Sequence, residues 1–192
     1  DAAELADPGS IAPAHLRAGT GHEPLLLARD VDGTLRCLSN VCTHRAAILC
    51  DAPRTARSIA CPYHGRRFDL DGTCKHMPEF AGVQDFPSSA DHLTKLATAV
   101  LGGEAGATSK RGMIFASLDP TASPAAFAPV VDHMKWFPFE RLHLDRSRSR
   151  DYEIRAHWAL YVENYLEGFH IPFVHASLAE VLDYGDYATI LL

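Results

Sequence analysis

Two short segments of the sequence each combine a cysteine with a histidine. They are Cys42-Thr43-His44 and, after sixteen intervening residues, Cys61-Pro62-Tyr63-His64. Two thiolates and two imidazoles suit either a zinc ion or a two-iron, two-sulfur cluster in which histidines replace the cysteines on one iron. Structural zinc sites usually begin with two cysteines in one loop, whereas here each segment supplies one sulfur and one nitrogen. This arrangement favours the iron–sulfur cluster over zinc.

A second group of potential metal ligands lies at residues 163–175. Glu167 and His170 are three positions apart, so on a helix they share a face. His170 and His175 are five apart, and an unbroken helix would separate them by about 140°, but Pro172 breaks the helix and allows a bend that brings both rings together. Two histidines and a carboxylate form the facial triad that binds non-haem Fe(II). Histidines with packing or surface roles are the alternative explanation of such a pair.

Short strands and turns are expected to position the first group. Apolar runs at 24–29 and 35–39 flank a turn at 30–33 and predict a hairpin. Further strands are predicted at 58–60, 67–70 and 113–118, so that residues 1–118 form an all-β domain. Residues 87–111 contain Gly102, Gly103 and Gly106 and few apolar runs, and we expect a loose surface excursion there.

The pattern changes after residue 118. Residues 120–138 are rich in proline and alanine and predict a linker or a short helical crossing. Residues 151–155 alternate like a strand, and 156–169 predict a helix that Pro172 ends or kinks. The expected fold class is therefore α+β, with residues 1–118 as the first domain, 119–150 as a linker or crossing segment, and 151–192 as the start of a second domain.

The composition excludes several classes of protein. The chain of 192 residues has 47% hydrophobic and 22% charged residues, which is typical of globular proteins rather than disordered or fibrous ones. No apolar run approaches the roughly 18 residues of a membrane span, and no signal peptide is recognisable. A net charge of −6 argues against non-specific nucleic-acid binding. The first residue, Asp1, and the C-terminal residues suggest a chain cut at both ends.

The cysteine count points to a reducing compartment. Five cysteines are an odd number, and without a secretory signal they fit the cytoplasm and metal or free-thiol roles better than a disulfide framework. Cys37, Cys50 and Cys74 have no place in either group of ligands. We expect them to be buried as small apolar side chains.

The first group resembles the motif of a Rieske domain. Cys42-Thr43-His44-Arg45, then the segment 61–69 and Asp71-Gly72 carry this resemblance, which covers most of residues 11–118. It implies that Cys42, His44, Cys61 and His64 bind a [2Fe-2S] cluster. One departure is Ala46, where the family commonly has glycine.

The resemblance also implies a branch of the family. The loop-linking disulfide of respiratory Rieske proteins would require cysteines at Ala47 and Tyr63, so the sequence resembles the oxygenase and ferredoxin branch. With fewer hydrogen bonds to the cluster sulfurs, we expect a reduction potential near the low end of the Rieske range, about −150 mV rather than +300 mV. A redox titration with a clearly positive midpoint would contradict this.

The second group resembles the mononuclear-iron motif of Rieske non-haem iron oxygenase α subunits, nearest the branch with choline and carnitine monooxygenases. The resemblance implies that His170 and His175 bind iron, and that Glu167 links electron transfer between the two centres. Asn164 is a further candidate catalytic residue. The family's third iron ligand, a carboxylate far downstream, is not assigned, because Asp183 and Asp186 follow His175 too closely. The second domain is then the opening strand and helix of a helix-grip type catalytic domain.

This resemblance implies a division of labour. Electrons from NAD(P)H reach the Rieske cluster through a reductase, with or without a ferredoxin, and pass to a mononuclear Fe(II) that activates O2. A small organic substrate, aromatic or a quaternary amine, is hydroxylated or demethylated. The expected assembly is a homotrimer in which Glu167 bridges His64 of one subunit and His170 of the next. The alternatives are a Rieske ferredoxin-type electron carrier and a zinc-binding module.

Overall fold

The structure is a computed structural model that describes residues 2–18, 21–102, 110–119 and 121–188. The chain divides into two compact units, Asp1–Leu144 and Asp145–Leu192. The domain limits of 1–118, 119–150 and 151–192 remain predictions. In the described ranges no helix is long and apolar enough to cross a membrane.

A six-stranded antiparallel sheet forms the frame of the first unit. Its strands are β1 (Ser10–Ala18), β2 (Gly21–Arg29), β3 (Leu35–Ser39), β4 (Arg54–Thr55), β8 (Lys95–Leu101) and β9 (Met113–Ser117). They lie in the order β4-β1-β2-β3-β8-β9. The β2–β3 hairpin confirms the sequence prediction. Gly33 closes its turn with a φ of 81°, and its amide donates a hydrogen bond to the Asp30 carbonyl.

A second, smaller antiparallel sheet contains β5 (Ile59–Ala60), β6 (Arg67–Phe68) and β7 (Cys74–His76), in that order. The second Cys–His segment is the connection between β5 and β6. The first Cys–His segment is flanked in the same way, because Val41 and Ile48 form an antiparallel bridge around it. Each ligand segment is therefore a six-residue loop closed by an antiparallel pair.

The prediction of a loose excursion at 87–111 is wrong for part of that segment. Lys95–Leu101 is β8, which pairs with β3 on one side and β9 on the other. Its apolar residues Leu96, Val100 and Leu101 were passed over in the sequence prediction, and the hydrogen bonds of two neighbouring strands hold the segment in the sheet. Residues 103–109 lie outside the described residues.

The core of the first unit lies directly beneath the two loops. Apolar side chains from both sheets meet there, and the cysteines Cys42 and Cys61 belong to the same buried cluster. Cys37, Cys50 and Cys74 are buried as well, each with about 1% of its surface exposed, which confirms the prediction for these three residues. The loops thus rest on packed side chains rather than on solvent-exposed chain.

The predicted crossing segment is helical in part. A 3-10 helix at Pro124–Phe127 runs into the short helix α1 (Ala128–His133). Ser123 caps the start of this segment by accepting a hydrogen bond from the amide of Ala125, and such a cap satisfies a backbone donor that has no partner within the helix.

The described part of the second unit contains three short α-helices, α2 (Trp158–Leu166), α3 (Ile171–Val174) and α4 (Ala176–Ala179). The predicted helix is thus shorter than residues 156–169: His157 caps its start and Glu167 follows its end with extended backbone. Pro172 neither ends nor kinks it, but lies in the first turn of α3, where its missing amide donor costs nothing.

The prediction of a strand at 151–155 is wrong, since this segment is irregular. A strand needs a neighbour to accept and donate its backbone hydrogen bonds, and no strand of the described chain pairs with these residues. The alternation of side chains alone does not supply that partner. The fold-class prediction as a whole is confirmed, with antiparallel sheets followed by a few helices.

Candidate metal centres

The two ligand loops share one backbone hydrogen-bond pattern. In the first loop (residues 42–47) the amide of Cys42 donates to the Ala47 carbonyl at 2.8 Å, and the amide of Ala46 donates to the Cys42 carbonyl at 3.0 Å. In the second loop (residues 61–66) Cys61 and Arg66 form the first of these bonds at 2.8 Å, and Gly65 returns the second at 3.1 Å. The loops are structural copies of each other, each led by its cysteine.

The copies bring their functional side chains together. The rings of His44 and His64 meet edge to face with centroids 4.7 Å apart. Cys42 and Cys61 are 3% and 4% exposed, so both thiols lie under the loops while both imidazoles are partly accessible. The four residues predicted as cluster ligands therefore converge, with sulfurs on the inner side and nitrogens on the outer.

The electrostatics at Cys42 depend on what the site holds. Burial raises the pKa of the Cys42 thiol, and the neighbouring Cys61 raises it further, against the opposing effect of the His44 amide and the Arg66 charge. Burial therefore favours the protonated form of the Cys42 thiol when no metal is bound. A metal reverses this balance, because thiolates bind it only in the deprotonated form.

The pKa of His44 is lowered. Its causes are desolvation first, then the positive charges of His64, Arg66 and Arg45. These contacts favour the neutral imidazole, which is the form that donates a lone pair to a metal.

One buried atom in the second loop lacks a partner. The Nδ1 atom of His64 is buried and makes no hydrogen bond within the described structure, while the ring of Tyr63 lies against the same imidazole with a centroid distance of 3.8 Å. An unpaired buried polar atom costs about 1–3 kcal/mol. A metal on this nitrogen would satisfy it, so the residues present fit a metal-bound state.

The donor set fits a mixed iron–sulfur cluster. A [2Fe-2S] cluster of the mixed type asks for only two protein ligands on each iron. Two buried sulfurs on one side and two imidazoles on the other meet that requirement.

Arg66 is a residue of this site that the sequence analysis did not identify. Its guanidinium is buried; one Nη atom donates to the Thr43 hydroxyl at 2.9 Å and contacts the Asp91 carboxylate at 3.2 Å. The sequence offered no signal for it, because Arg66 and its neighbour Arg67 are the same residue type, and only the structure shows that Arg66 is buried and Arg67 exposed.

The second candidate centre lies in the second unit. The rings of His170 and His175 stand edge to face with centroids 5.2 Å apart, so the predicted convergence of these two histidines is observed. The bend between them is the start of α3, which His170 precedes and His175 follows. Both side chains come from the ends of one short helix rather than from one helix face.

Glu167 contacts His170, but not through a helical turn. The Glu167 carboxylate pairs with the His170 Nδ1 atom through one oxygen and accepts the Phe169 amide at 2.7 Å through the other. The hydrogen bond with His170 is the main cause that lowers the pKa of Glu167. With Nδ1 engaged, the Nε2 atom of His170 is the nitrogen left for a metal, the usual carboxylate–histidine–metal arrangement.

Three other residues near this centre complete its description. Asn164 lies exposed on α2. Asp183 accepts the Gly185 amide at 2.9 Å and so caps a short 3-10 helix. Gly168 was not singled out from the sequence: a Cβ atom there would lie 2.6 Å from the Tyr187 ring, so a larger residue in the turn after Glu167 would displace that ring.

The segment that contains the first candidate centre matches a known protein family. Residues 4–87 match the family described as Rieske [2Fe-2S] domain. This chain contains a Rieske domain. The cofactor of that domain is a [2Fe-2S] cluster, and the two copied loops lie inside the matched range.

Curated relatives extend the similarity past the Rieske domain. A chloroplastic choline monooxygenase of Arabidopsis thaliana is 28% identical over 89% of this chain and 41% of its own length. The glycine betaine monooxygenase oxygenase subunit of Chromohalobacter salexigens is 28% identical over 90% of this chain and 37% of its own length. The chain thus spans about two fifths of the curated relatives it matches.

A solved structure agrees with these relatives. A quaternary ammonium Rieske monooxygenase, studied for carnitine oxidation and inter-subunit electron transfer, matches with a TM-score of 0.71 and 26% identity, over 92% of this chain and 46% of its own. The chain is homologous to the N-terminal part of Rieske oxygenase α subunits.

Proposed function

We propose that this chain is the electron-entry part of a Rieske-type non-haem iron oxygenase, with the [2Fe-2S] cluster held by Cys42, His44, Cys61 and His64. The observation that carries the proposal is the presence of a second centre after the Rieske domain. There His170 and His175 converge and Glu167 holds His170 by its Nδ1 atom. An electron carrier has no use for these residues.

The residues of each centre have distinct tasks. Cys42 and Cys61 hold their sulfurs in the apolar core, and the two exposed-side imidazoles of His44 and His64 form the path toward the surface. When bound, the cluster supplies single electrons and a mononuclear Fe(II) supplies O2 activation. The carboxylate that completes the iron site belongs to a segment other than those described.

Glu167 is the proposed link between the centres of neighbouring subunits. It orients the His170 ring and raises the basicity of that ligand, and it would accept a second imidazole N–H, from His64 of the adjacent subunit. The trimeric ring this requires is a head-to-tail contact that closes on itself. Asn164, one turn earlier on α2, is the second residue we assign to this path.

The proposed partners follow from the same assignment. A reductase, with or without a ferredoxin, delivers electrons from NAD(P)H. Five free cysteines in the described chain fit a reducing cytoplasm as the location.

For the substrate we propose a small quaternary ammonium compound. Choline monooxygenases, a glycine betaine monooxygenase and carnitine-oxidising structures support this class. A salicylate 5-hydroxylase component of a Ralstonia species is also 28% identical, so aromatic acids are the class to test against. The reaction would be hydroxylation, with loss of a methyl group where the hydroxylated carbon is a methyl on nitrogen.

Iron content distinguishes an oxygenase from a Rieske ferredoxin. The full-length protein, loaded with iron and sulfide, should contain three irons per chain and two acid-labile sulfides. Two irons per chain at full cluster occupancy would establish the electron-carrier alternative instead, and a colourless protein containing zinc would exclude both.

Substrate class is tested by oxygen uptake. The full-length protein, supplied with a reductase and NADH, should consume O2 with choline, glycine betaine or carnitine, and not with salicylate or toluate. Formation of the hydroxylated or demethylated product, measured by mass spectrometry, distinguishes turnover from uncoupled O2 reduction. Uptake and product with the aromatic acids alone would overturn the quaternary ammonium assignment.

A further inference from the structure

Arg66 connects the two ligand loops. Its backbone carbonyl closes the second loop by accepting the Cys61 amide at 2.8 Å. Its guanidinium crosses to the first loop and donates to the Thr43 hydroxyl at 2.9 Å. One residue thus belongs to both halves of the site.

The guanidinium is held on several sides. It contacts the Asp91 carboxylate at 3.2 Å and the Met77 sulfur at 3.5 Å, and lies over the Phe86 ring at 5.3 Å from the centroid. Its side chain is only 4% exposed, whereas that of Asp91 is 21% exposed. A cation this buried interacts with nearby charge at a lower dielectric constant than a surface arginine does.

Asp91 is itself fixed by the chain around it. Its second carboxylate oxygen accepts the Ser88 amide at 2.8 Å and the Ser88 hydroxyl at 3.0 Å, and its backbone carbonyl accepts the Thr43 hydroxyl at 2.7 Å. The segment 88–91 therefore anchors both Arg66 and the first loop. Three separate parts of the chain meet in one hydrogen-bonded network.

We propose that Arg66 is a positioning residue of the Rieske domain: it ties the two ligand loops together without a covalent bond, and its buried charge raises the reduction potential of the cluster. This inference rests on the proposed ligation by Cys42, His44, Cys61 and His64. The tie joins loops between which no disulfide exists, since all five cysteines are free in the described chain.

The direction of the effect on the potential follows from charge. Reduction adds one electron, and hence one negative charge, to the cluster, and a fixed cation stabilises the reduced form more than the oxidised form. Arg66 lies next to the cluster ligands in both loops, since its carbonyl accepts the Cys61 amide and its guanidinium donates to Thr43 beside Cys42. Asp91 contacts the same guanidinium nitrogen that donates to Thr43, and its negative charge offsets part of this effect.

The test is a redox titration of the full-length, cluster-loaded protein and its variants, followed by visible absorbance. Arg66→Met should shift the reduction equilibrium at least tenfold toward the oxidised cluster, about 59 mV for a one-electron couple. Asp91→Asn removes the opposing charge and should shift the reduction equilibrium toward the reduced cluster. Arg66→Lys keeps the positive charge, so its reduction equilibrium constant should stay within about threefold of the parent value.

The opposite signs separate charge from loosened structure. The proposed charge effect would be wrong if both Arg66→Met and Asp91→Asn lowered the potential. It would also be wrong if Arg66→Met changed the reduction equilibrium constant less than twofold. Arg29→Met is the matched control: Arg29 is also buried, but it bonds to the Leu5 and Gly33 carbonyls. Arg29→Met should leave the reduction equilibrium constant of the cluster within twofold of the parent value.

The link that Arg66 makes between the two ligand loops is tested separately, by measuring the rate at which the protein loses its cluster to a chelator. Arg66→Lys loses the planar fork that reaches Thr43 and Asp91, so it should lose the cluster several-fold faster than the parent at nearly the same potential. Equal rates would overturn the tie. If Arg66→Met fails to load, Arg66→Lys and Asp91→Asn still decide both parts. A parent protein without any cluster would instead contradict the proposed function.

Discussion

Ala46 and Gly65 occupy the same place in the two ligand loops. Each donates its amide to the carbonyl of the cysteine four residues before it, and both have positive φ angles, 54° and 73°. Glycine adopts such a φ without strain, whereas an alanine pays about 1–2 kcal/mol. The first loop therefore keeps the conformation of the second in spite of its sequence.

Ala46→Gly should consequently stabilise the protein. The strain is relieved, and the greater entropy of glycine in the unfolded chain offsets part of the gain, which leaves about 0.5–1 kcal/mol. Urea denaturation of the full-length protein measures this difference. Gly65→Ala is the matched counterpart and should destabilise, because its Cβ would also lie 3.1 Å from Pro78. A less stable Ala46→Gly variant would contradict the argument.

Asp71 should make stability depend on pH below about pH 4. Burial alone would raise its pKa, but hydrogen bonds from Thr73 and the Lys95 ammonium outweigh burial and lower the pKa to about 2. A lowered pKa means that the folded state favours the ionised carboxylate, so the stabilisation is present above the unfolded value and disappears as the pH falls through about 2.

Asp71→Asn should therefore reduce the free energy of unfolding by about 1–2 kcal/mol at pH 7. The gap between the variant and the parent should close as the pH is lowered from 4 to 2. Asp69→Asn serves as the control, because Asp69 forms an exposed pair with Lys75 at 3.2 Å and such pairs contribute little. A gap that persists unchanged at pH 2 would show that charge is not the cause.

Glu167→Gln should leave both metal centres loaded and slow substrate turnover by about 10–100-fold. The amide keeps an acceptor for Phe169 but loses the charge that holds the His170 imidazole. Iron content and steady-state oxygen uptake are the two measurements. Glu163→Gln makes the same chemical change at an exposed site of α2 and should leave turnover unaffected. Equal turnover in the two variants would remove Glu167 from the electron path.

His170→Ala should remove one iron and spare the other two. The cluster ligands lie in other loops, so the visible absorbance of the cluster should persist while iron content falls from three to two per chain. Cys61→Ser should instead remove the cluster, so that its visible absorbance is lost while the mononuclear iron remains. Loss of the cluster colour in His170→Ala would mean that the two centres do not fold independently.

Much of this architecture could be predicted from local signals. The cysteine–histidine spacing depends only on residues close in sequence, and so does the β2–β3 hairpin, whose turn residues sit between two apolar runs. The convergence of His170 and His175 was predicted as well, but for the wrong reason, since Pro172 lies in the first turn of α3 and does not break a longer helix. For the spacing and the hairpin, the chemistry of neighbouring residues is sufficient.

The tertiary structure decided what depends on distant partners. β8 forms because β3 and β9 pair with its two edges, and residues 151–155 remain irregular because no described strand pairs with them. Glu167 reaches His170 from beyond a helix end, not along its face. Arg66 became part of the site only through Asp91, which lies 25 positions away in sequence. Strand pairing and the burial of a charge beside its counter-charge are long-range effects, and no local pattern encodes them.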